Sequence, residues 1–233
     1  MRIALEDRHN PSGWQGLLDL ALPALDEALA RHPGNLPSGV PAWTLGGGTA
    51  LALVIGHRIS DDVDLFVPWL PLREFTPARN GSAALISTRY QWPGSYLKFE
   101  RPDGEIDFLS PQLQTQPGYD WETYKGRRIA LERPEEVIVK KVRYRGSRFT
   151  ERDVFDLAAV ARTDGNLAGT LAEEVPDMLA RLQAILDARS RAGMDIGGSI
   201  RPMPGFERLA ETALDDARQV VGDAIALAND GPP

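Results

Sequence analysis

Three consecutive glycines, Gly46-Gly47-Gly48, stand between a short apolar run, Trp43 to Leu45, and an apolar stretch of helical character, Thr49-Ala50-Leu51-Ala52-Leu53-Val54-Ile55. A chain turns from strand to helix in so few residues only where side chains do not crowd the backbone. The block is therefore expected to be a strand–turn–helix corner. Without Cβ atoms such a turn lets a phosphate approach its N–H groups, and the helix N-terminus behind it adds partial positive charge. The glycines alone describe a flexible turn equally well.

A second feature follows fourteen residues later. Asp62 to Val67 alternates acid and apolar residues and reads as a strand. Side chains two apart on a strand share a face, so Asp62 and Asp64 are expected side by side, roughly 6.6 Å apart at about 3.3 Å per residue. Val63 and Leu65 then face a core. Two like charges on a buried strand repel each other, and a hard divalent cation such as Mg²⁺ relieves that conflict with carboxylate oxygens. The alternative is an edge strand with both acids in water. A third acid, Asp107, lies in Gly104-Glu105-Ile106-Asp107-Phe108-Leu109, which is the second arm of a hairpin around Asp103-Gly104. Asp107, or Glu105 on the same face, is the candidate to join the pair; the wet face of a hairpin is the competing reading.

The segment Leu45 to Phe66, with Gly-Gly-Thr, His57-Arg58-Ile-Ser60 and Asp62-Val-Asp64, resembles the signature of the AbiEii/AbiGii toxin family of nucleotidyltransferases, within the DNA polymerase β-like superfamily. The segment Pro134 to Leu157, with Lys140-Lys141 and Arg152-Asp153-Val-Phe-Asp156-Leu157, resembles the family's later motifs. The resemblance covers roughly residues 43 to 160. It implies an α+β fold: a polymerase β-like core with a mixed sheet, then a C-terminal helical domain. It also implies a toxin of a toxin–antitoxin or phage-defence pair, with an antitoxin protein as a partner.

The implied chemistry transfers a nucleoside monophosphate from a nucleoside triphosphate in a two-metal Mg²⁺ site. Asp62, Asp64 and Asp107 are then the metal ligands and catalytic acids, and Gly47, Gly48 and Thr49 cradle the triphosphate. Arg58 and Ser60 lie on the approach to the catalytic strand; Arg58 binds phosphate or forms a structural salt bridge with Asp61 or another acid. His57 is expected to pack rather than act as a base. Glu136 and Lys140 are spaced i, i+4 as a helix-surface ion pair. That leaves Lys141, on the face of Val137 and Tyr144, as the catalytic lysine directed at the triphosphate. Asp153 either caps a helix from Thr150 or contacts nucleotide; Asp156, one turn on, can pair with Arg152 and ranks below Asp153.

Elsewhere the chain reads as ordinary globular protein, 42% apolar and 25% charged. No run of 18 apolar residues suggests a membrane span. Zero cysteines exclude disulfides and thiolate metal sites and fit a cytoplasmic location. A helix is expected over 14–31, kinked or split at Pro23, and a loop over 35–41. From Pro134 onward helices are expected over 134–145, 150–162, 171–189 and 206–228, with a domain division near residue 130 into 1–130 and 131–233. Although the net charge is −7, Lys125 to Arg152 holds ten basic and four acidic residues, a net +6. That asymmetry marks a polyanion-facing surface or a solvated helix face, and the first reading points to an RNA acceptor, most plausibly a tRNA 3′ end. A non-catalytic partner-binding protein and a small-molecule nucleotidyltransferase of the antibiotic-modifying kind are the alternatives.

Overall fold

The computed structural model describes residues 3–230; the outermost residues of the two expected domains, 1–2 and 231–233, lie outside them. A six-stranded sheet forms the centre of the first part: β1 (Thr44–Gly46), β2 (Val63–Phe66), β3 (Tyr96–Arg101), β4 (Gly104–Leu109), β5 (Tyr119–Tyr124) and β6 (Arg127–Glu132). Their order is β3-β4-β2-β1-β6-β5. β2 runs parallel to β4 and β1 parallel to β6, while β1/β2, β3/β4 and β5/β6 are antiparallel, so the sheet is mixed and the chain is α+β. The alternation read from the sequence sets its faces. Val63, Leu65, Leu97, Phe99, Ile106 and Phe108 are fully buried on one face, where helix α1 (Trp14–Arg31) packs on β2 and β4. Lys98, Asp64 and Asp107 alternate with them and stand on the other.

Helix α1 runs unbroken through Pro23. The ring sits on its exposed side, while Leu17, Leu18, Ala21, Ala24, Leu25 and Ala28 remain fully buried, so packing outweighs the one lost backbone bond. Helix α2 (Gly47–Ile55) follows β1 with no intervening residue, as the glycine corner required. Two elements were not expected: a short helix α3 (Gly81–Ile86), capped by the Asn80 side chain on Ala83 N–H, and the β5–β6 hairpin. The hairpin turn, Lys125-Gly126, has positive φ at both residues (47° and 78°), as the twist of a two-residue hairpin demands.

The remaining helices are α4 (Pro134–Arg145), α5 (Glu151–Thr163), α6 (Leu167–Glu174), α7 (Pro176–Arg191) and α8 (Leu209–Asp230). Gly146, at φ 52°, ends α4 as expected. The single helix expected over 171–189 is instead two, α6 and α7. Pro176 lacks the N–H that would continue α6 and starts α7 at its first position. The last helix begins at Leu209 rather than Phe206. Helix α5 is buried from Asp153 to Val160, and α6, α7 and α8 surround it or one another. α8 meets them with a stripe of Leu209, Ala213, Ala217, Val221 and Ala224, spaced three and four apart, whose small alanines permit close approach. By compactness the chain divides into residues 1–53, 60–113 and 119–132 on one hand, and residues 54–59, 114–118 and 133–233 on the other.

Candidate active site

On the sheet, strand register assembles a row of side chains on one face. Lys98 of β3 pairs with Asp107 of β4, Asp107 with Asp64 of β2, and Asp64 with Gly46 of β1. The Leu45–Leu131 pairing brings Glu132 of β6 beside Gly46. Asp64 and Asp107 are thus direct neighbours across a parallel pair, which favours Asp107 over Glu105 as the partner acid. The glycine corner is sterically obligatory here. Gly47 has φ 67°, and a Cβ on it would lie 1.8 Å from Asp64 Oδ2. A Cβ on Gly46 would lie 2.3 Å from Glu132 Oε2 and 2.5 Å from the Phe66 ring. The turn is pressed against the carboxylate it was expected to accompany.

Asp62 stands on the loop just before the strand. β2 begins at Val63, so the two-residue alternation does not extend to Asp62. Its Oδ1 instead accepts a hydrogen bond from Glu105 N–H at 3.1 Å, in the position a strand carbonyl would take. Thr49 is fully buried, and its hydroxyl donates to the Asp62 and Ser60 carbonyls. It fastens the loop before β2 and leaves only its backbone N–H for a ligand. Ser60 likewise serves through its carbonyl, which accepts from Asn10 Nδ2 and Ser12 Oγ at 2.9 and 2.7 Å. Gly47 and Gly48 are half-buried at the N-terminus of α2.

Burial and the neighbouring Asp64 charge push the Asp107 carboxyl up to about 8, against the downward pull of Lys98. Its Oδ1 is buried without a hydrogen-bond partner, while Oδ2 lies 3.5 Å from the Lys98 ammonium. An oxygen-lined pair with an unsatisfied acceptor and mutual repulsion is the donor set a hard divalent cation prefers, so these residues fit one. Among the described residues, however, no three His, Cys, Asp or Glu side chains converge closely enough to enclose a metal. Asp62, the third expected acid, takes a hydrogen bond from the β4 backbone.

The helical part holds a second constellation, around Asp156 at the centre of α5. Its carboxylate is fully buried and takes a fork from Arg58, Nε to Oδ1 at 2.7 Å and Nη2 to Oδ2 at 3.0 Å. His57 Nε2 lies 2.7 Å from Oδ1 and Lys141 Nζ 2.9 Å from Oδ2. The Asp156–Arg152 pair is therefore absent, because Asp156 points into the core and Arg152 outward. Burial alone would raise the Asp156 carboxyl, but Arg58 and Lys141 hold it well below the usual range. Lys141 Nζ also reaches Asp153 Oδ1 at 2.6 Å. Asp153 forms the capping box with Thr150, and Lys141 and Arg145 hold its carboxyl low against burial. His57 packs on Phe155 at 5.9 Å and Phe206 at 6.3 Å. The Lys140–Glu136 pair exists at 3.2 Å but is buried rather than superficial, since Glu136 also accepts from Gln114 and Thr115 N–H.

Several cations of the basic stretch have intramolecular partners, though Lys125 and Arg128 stay exposed. Lys125 and Arg127 pair with Asp19 and Asp26 of α1 at 2.6 Å, Arg128 lies over the Trp121 ring at 4.0 Å, and Arg143 donates to the Glu174 carbonyl. Arg145, Arg148 and Arg152 stay exposed around the α4–α5 turn.

Sequence reasoning missed Lys98, Glu132 and the central place of Asp156. Lys98 escaped because the sequence signals the hairpin turn at Asp103-Gly104; the turn is Pro102-Asp103, which pairs Arg101 with Gly104 and, counting outward, Lys98 with Asp107.

The family model described as nucleotidyl transferase AbiEii toxin, Type IV TA system, matches residues 35–220. No curated protein matches the chain. Solved structures similar to it include one from H. pylori assigned as a nucleotidyltransferase, at 16% identity over 93% of this chain and 96% of that one, TM-score 0.47. Another is MenT4, a nucleotidyltransferase toxin from Mycobacterium tuberculosis, at 16% identity over 92% and 85%, TM-score 0.47. No helix among the described residues is long and apolar enough to cross a membrane.

Proposed function

Since the chain belongs to the AbiEii family of nucleotidyltransferase toxins, we propose that it transfers a nucleoside monophosphate from a nucleoside triphosphate to an RNA hydroxyl, with Mg²⁺ held by Asp64 and Asp107. The observation that carries this reading is the in-register carboxylate pair against the Gly46-Gly47 turn. The acceptor hydroxyl gives its proton to water, its oxygen forms the new bond to the α-phosphorus, the bond from that phosphorus to the bridging oxygen breaks, and pyrophosphate leaves. Gly47 and Gly48 bring backbone N–H groups and the α2 N-terminus to the triphosphate, and Thr49 fixes the corner from within. When bound, the cation would neutralise charge developing on the transferring phosphoryl group. Asp64 and Asp107 would supply its oxygens, with Asp62, on the loop before β2, as the third proposed ligand. In the helical part, Lys141, Arg58 and Asp153 remain proposed nucleotide contacts, with Lys141 bridging Asp153 and Asp156.

An RNA acceptor, with a tRNA 3′ end as first choice, is supported by the exposed Arg145, Arg148 and Arg152. An antitoxin as protein partner and a role in phage defence are proposed on family grounds. The deciding experiment incubates the protein with Mg²⁺, each labelled nucleoside triphosphate and total RNA, alongside Asp64→Asn. Label in RNA from the wild type and none from the variant is expected. Label in protein or a small molecule would replace the acceptor, and equal labelling by both proteins would remove the site.

A further inference from the structure

Lys98 stands in the same row as the carboxylate pair and directly opposite Asp107. Its side chain is only 21% exposed. The ammonium is hydrogen-bonded to Glu105 and lies 3.5 Å from Asp107 Oδ2. Across three strands the row therefore reads cation, acid, acid. Two half-buried acids side by side need positive charge once both are ionised, and here β3 supplies some of it covalently. The same ammonium becomes a repulsive neighbour once a divalent cation sits on Asp107, since like charges at this spacing oppose each other strongly out of bulk water. Glu105 gives it somewhere to go: its carboxylate is on the same face, 38% exposed, and already hydrogen-bonded to the ammonium.

We propose that Lys98 is a resident counter-cation of the carboxylate row, bridging Glu105 and Asp107 while no divalent cation is present and giving up the Asp107 contact when one binds, and so setting the cation affinity of the site. It is a positioning residue, acting through Asp107. The inference rests on the cation site proposed above, and its test separates the two. Binding of Mn²⁺ alone, without nucleotide, is measured by the loss of the free-ion electron paramagnetic resonance signal. Folding is monitored by circular dichroism. Lys98→Met is expected to bind Mn²⁺ about tenfold more tightly than wild type, the direction in which removing a nearby like charge acts. Lys98→Arg, which keeps the charge, is expected to match wild type. Should Lys98→Met not fold, Lys98→Gln drops the charge while keeping a hydrogen bond to Glu105 and carries the same expectation. Glu105→Gln should weaken binding in the wild type and leave it unchanged beside Lys98→Met. Equal or weaker affinity on removing the Lys98 charge overturns the inference and leaves the cation site standing. Absence of Mn²⁺ binding in every variant, including those without the Lys98 charge, overturns the cation site and this inference together.

Discussion

Asp107 carries the clearest consequence of the site's electrostatics. In the folded, cation-free protein burial and the Asp64 charge keep its proton until about pH 8, whereas in the unfolded chain it leaves near the ordinary carboxylate value. Between those limits the folded state binds more protons than the unfolded, so stability falls as pH rises through that window. Melting temperature in chelator is expected to drop from pH 5.5 to pH 8.5, and Asp107→Asn is expected to remove that part of the slope; an unchanged slope in the variant would contradict the assigned environment. A companion prediction concerns Asp64→Asn. It relieves the same repulsion, so the cation-free protein should melt higher at pH 8.5 while nucleotidyl transfer falls by at least about a hundredfold, the scale of losing several kcal/mol of transition-state stabilisation. Transfer within a few-fold of wild type would show that Asp64 is not a ligand. That Asp64 and Asp107 share a face was legible in the sequence because strand alternation fixes faces locally; alternation says nothing of Asp62, since β2 starts one residue later.

At the scale of elements, what local patterns encode was readable and what long-range pairing decides was not. The glycine corner, the hairpin read around Asp103-Gly104, whose turn lies one residue earlier at Pro102-Asp103, and the cap at Thr150 each depend on a few consecutive residues. The hairpin β5–β6 escaped because β5 is an edge strand whose alternation, Tyr119-Asp-Trp-Glu-Thr-Tyr124, sets aromatic against acidic and polar residues rather than core against surface. The Asp156 network escaped because its partners lie 98 and 99 residues away at Arg58 and His57. The network has a testable energetic meaning. Replacing Asp156 by Asn leaves Arg58 and Lys141 buried with reduced compensation, and breaking a buried pair on one side typically costs about 3–5 kcal/mol. Chemical denaturation of Asp156→Asn is expected to show a loss of that order. Its pH signature is opposite to that of Asp107. The folded carboxyl is held low, so its contribution is present above the ordinary carboxylate value and fades as pH falls toward the lower folded one. A loss below about 1 kcal/mol would mean the charges are solvated despite their burial, as surface pairs are.

For the whole molecule, the distribution of charge decides the acceptor question more sharply than its sum. A net +6 between Lys125 and Arg152 on a chain of net −7 suggests one basic surface. In the fold, several of those cations are bound to acids, a carbonyl or an aromatic ring. Arg145, Arg148 and Arg152 remain exposed around one turn; Arg145 also neighbours Asp153 at 3.4 Å. Sequence counts charges by position in the chain and cannot see that α1 supplies Asp19 and Asp26 to two of them. If these three arginines are the RNA contacts, binding should be weakly basic in character. Each phosphate neutralised on a single strand contributes about −0.7 to the slope of log affinity against log salt, so three contacts give roughly −2. Titration of tRNA from low to moderate salt is expected to give that slope, and Arg148→Ala with Arg152→Ala is expected to reduce it to about −0.7, the value for one remaining contact. The acidic remainder of the chain should repel RNA elsewhere and keep the footprint small. A slope that survives the double substitution would place the phosphate contacts on other residues, and no RNA binding at low salt would turn the search to a protein or small-molecule acceptor.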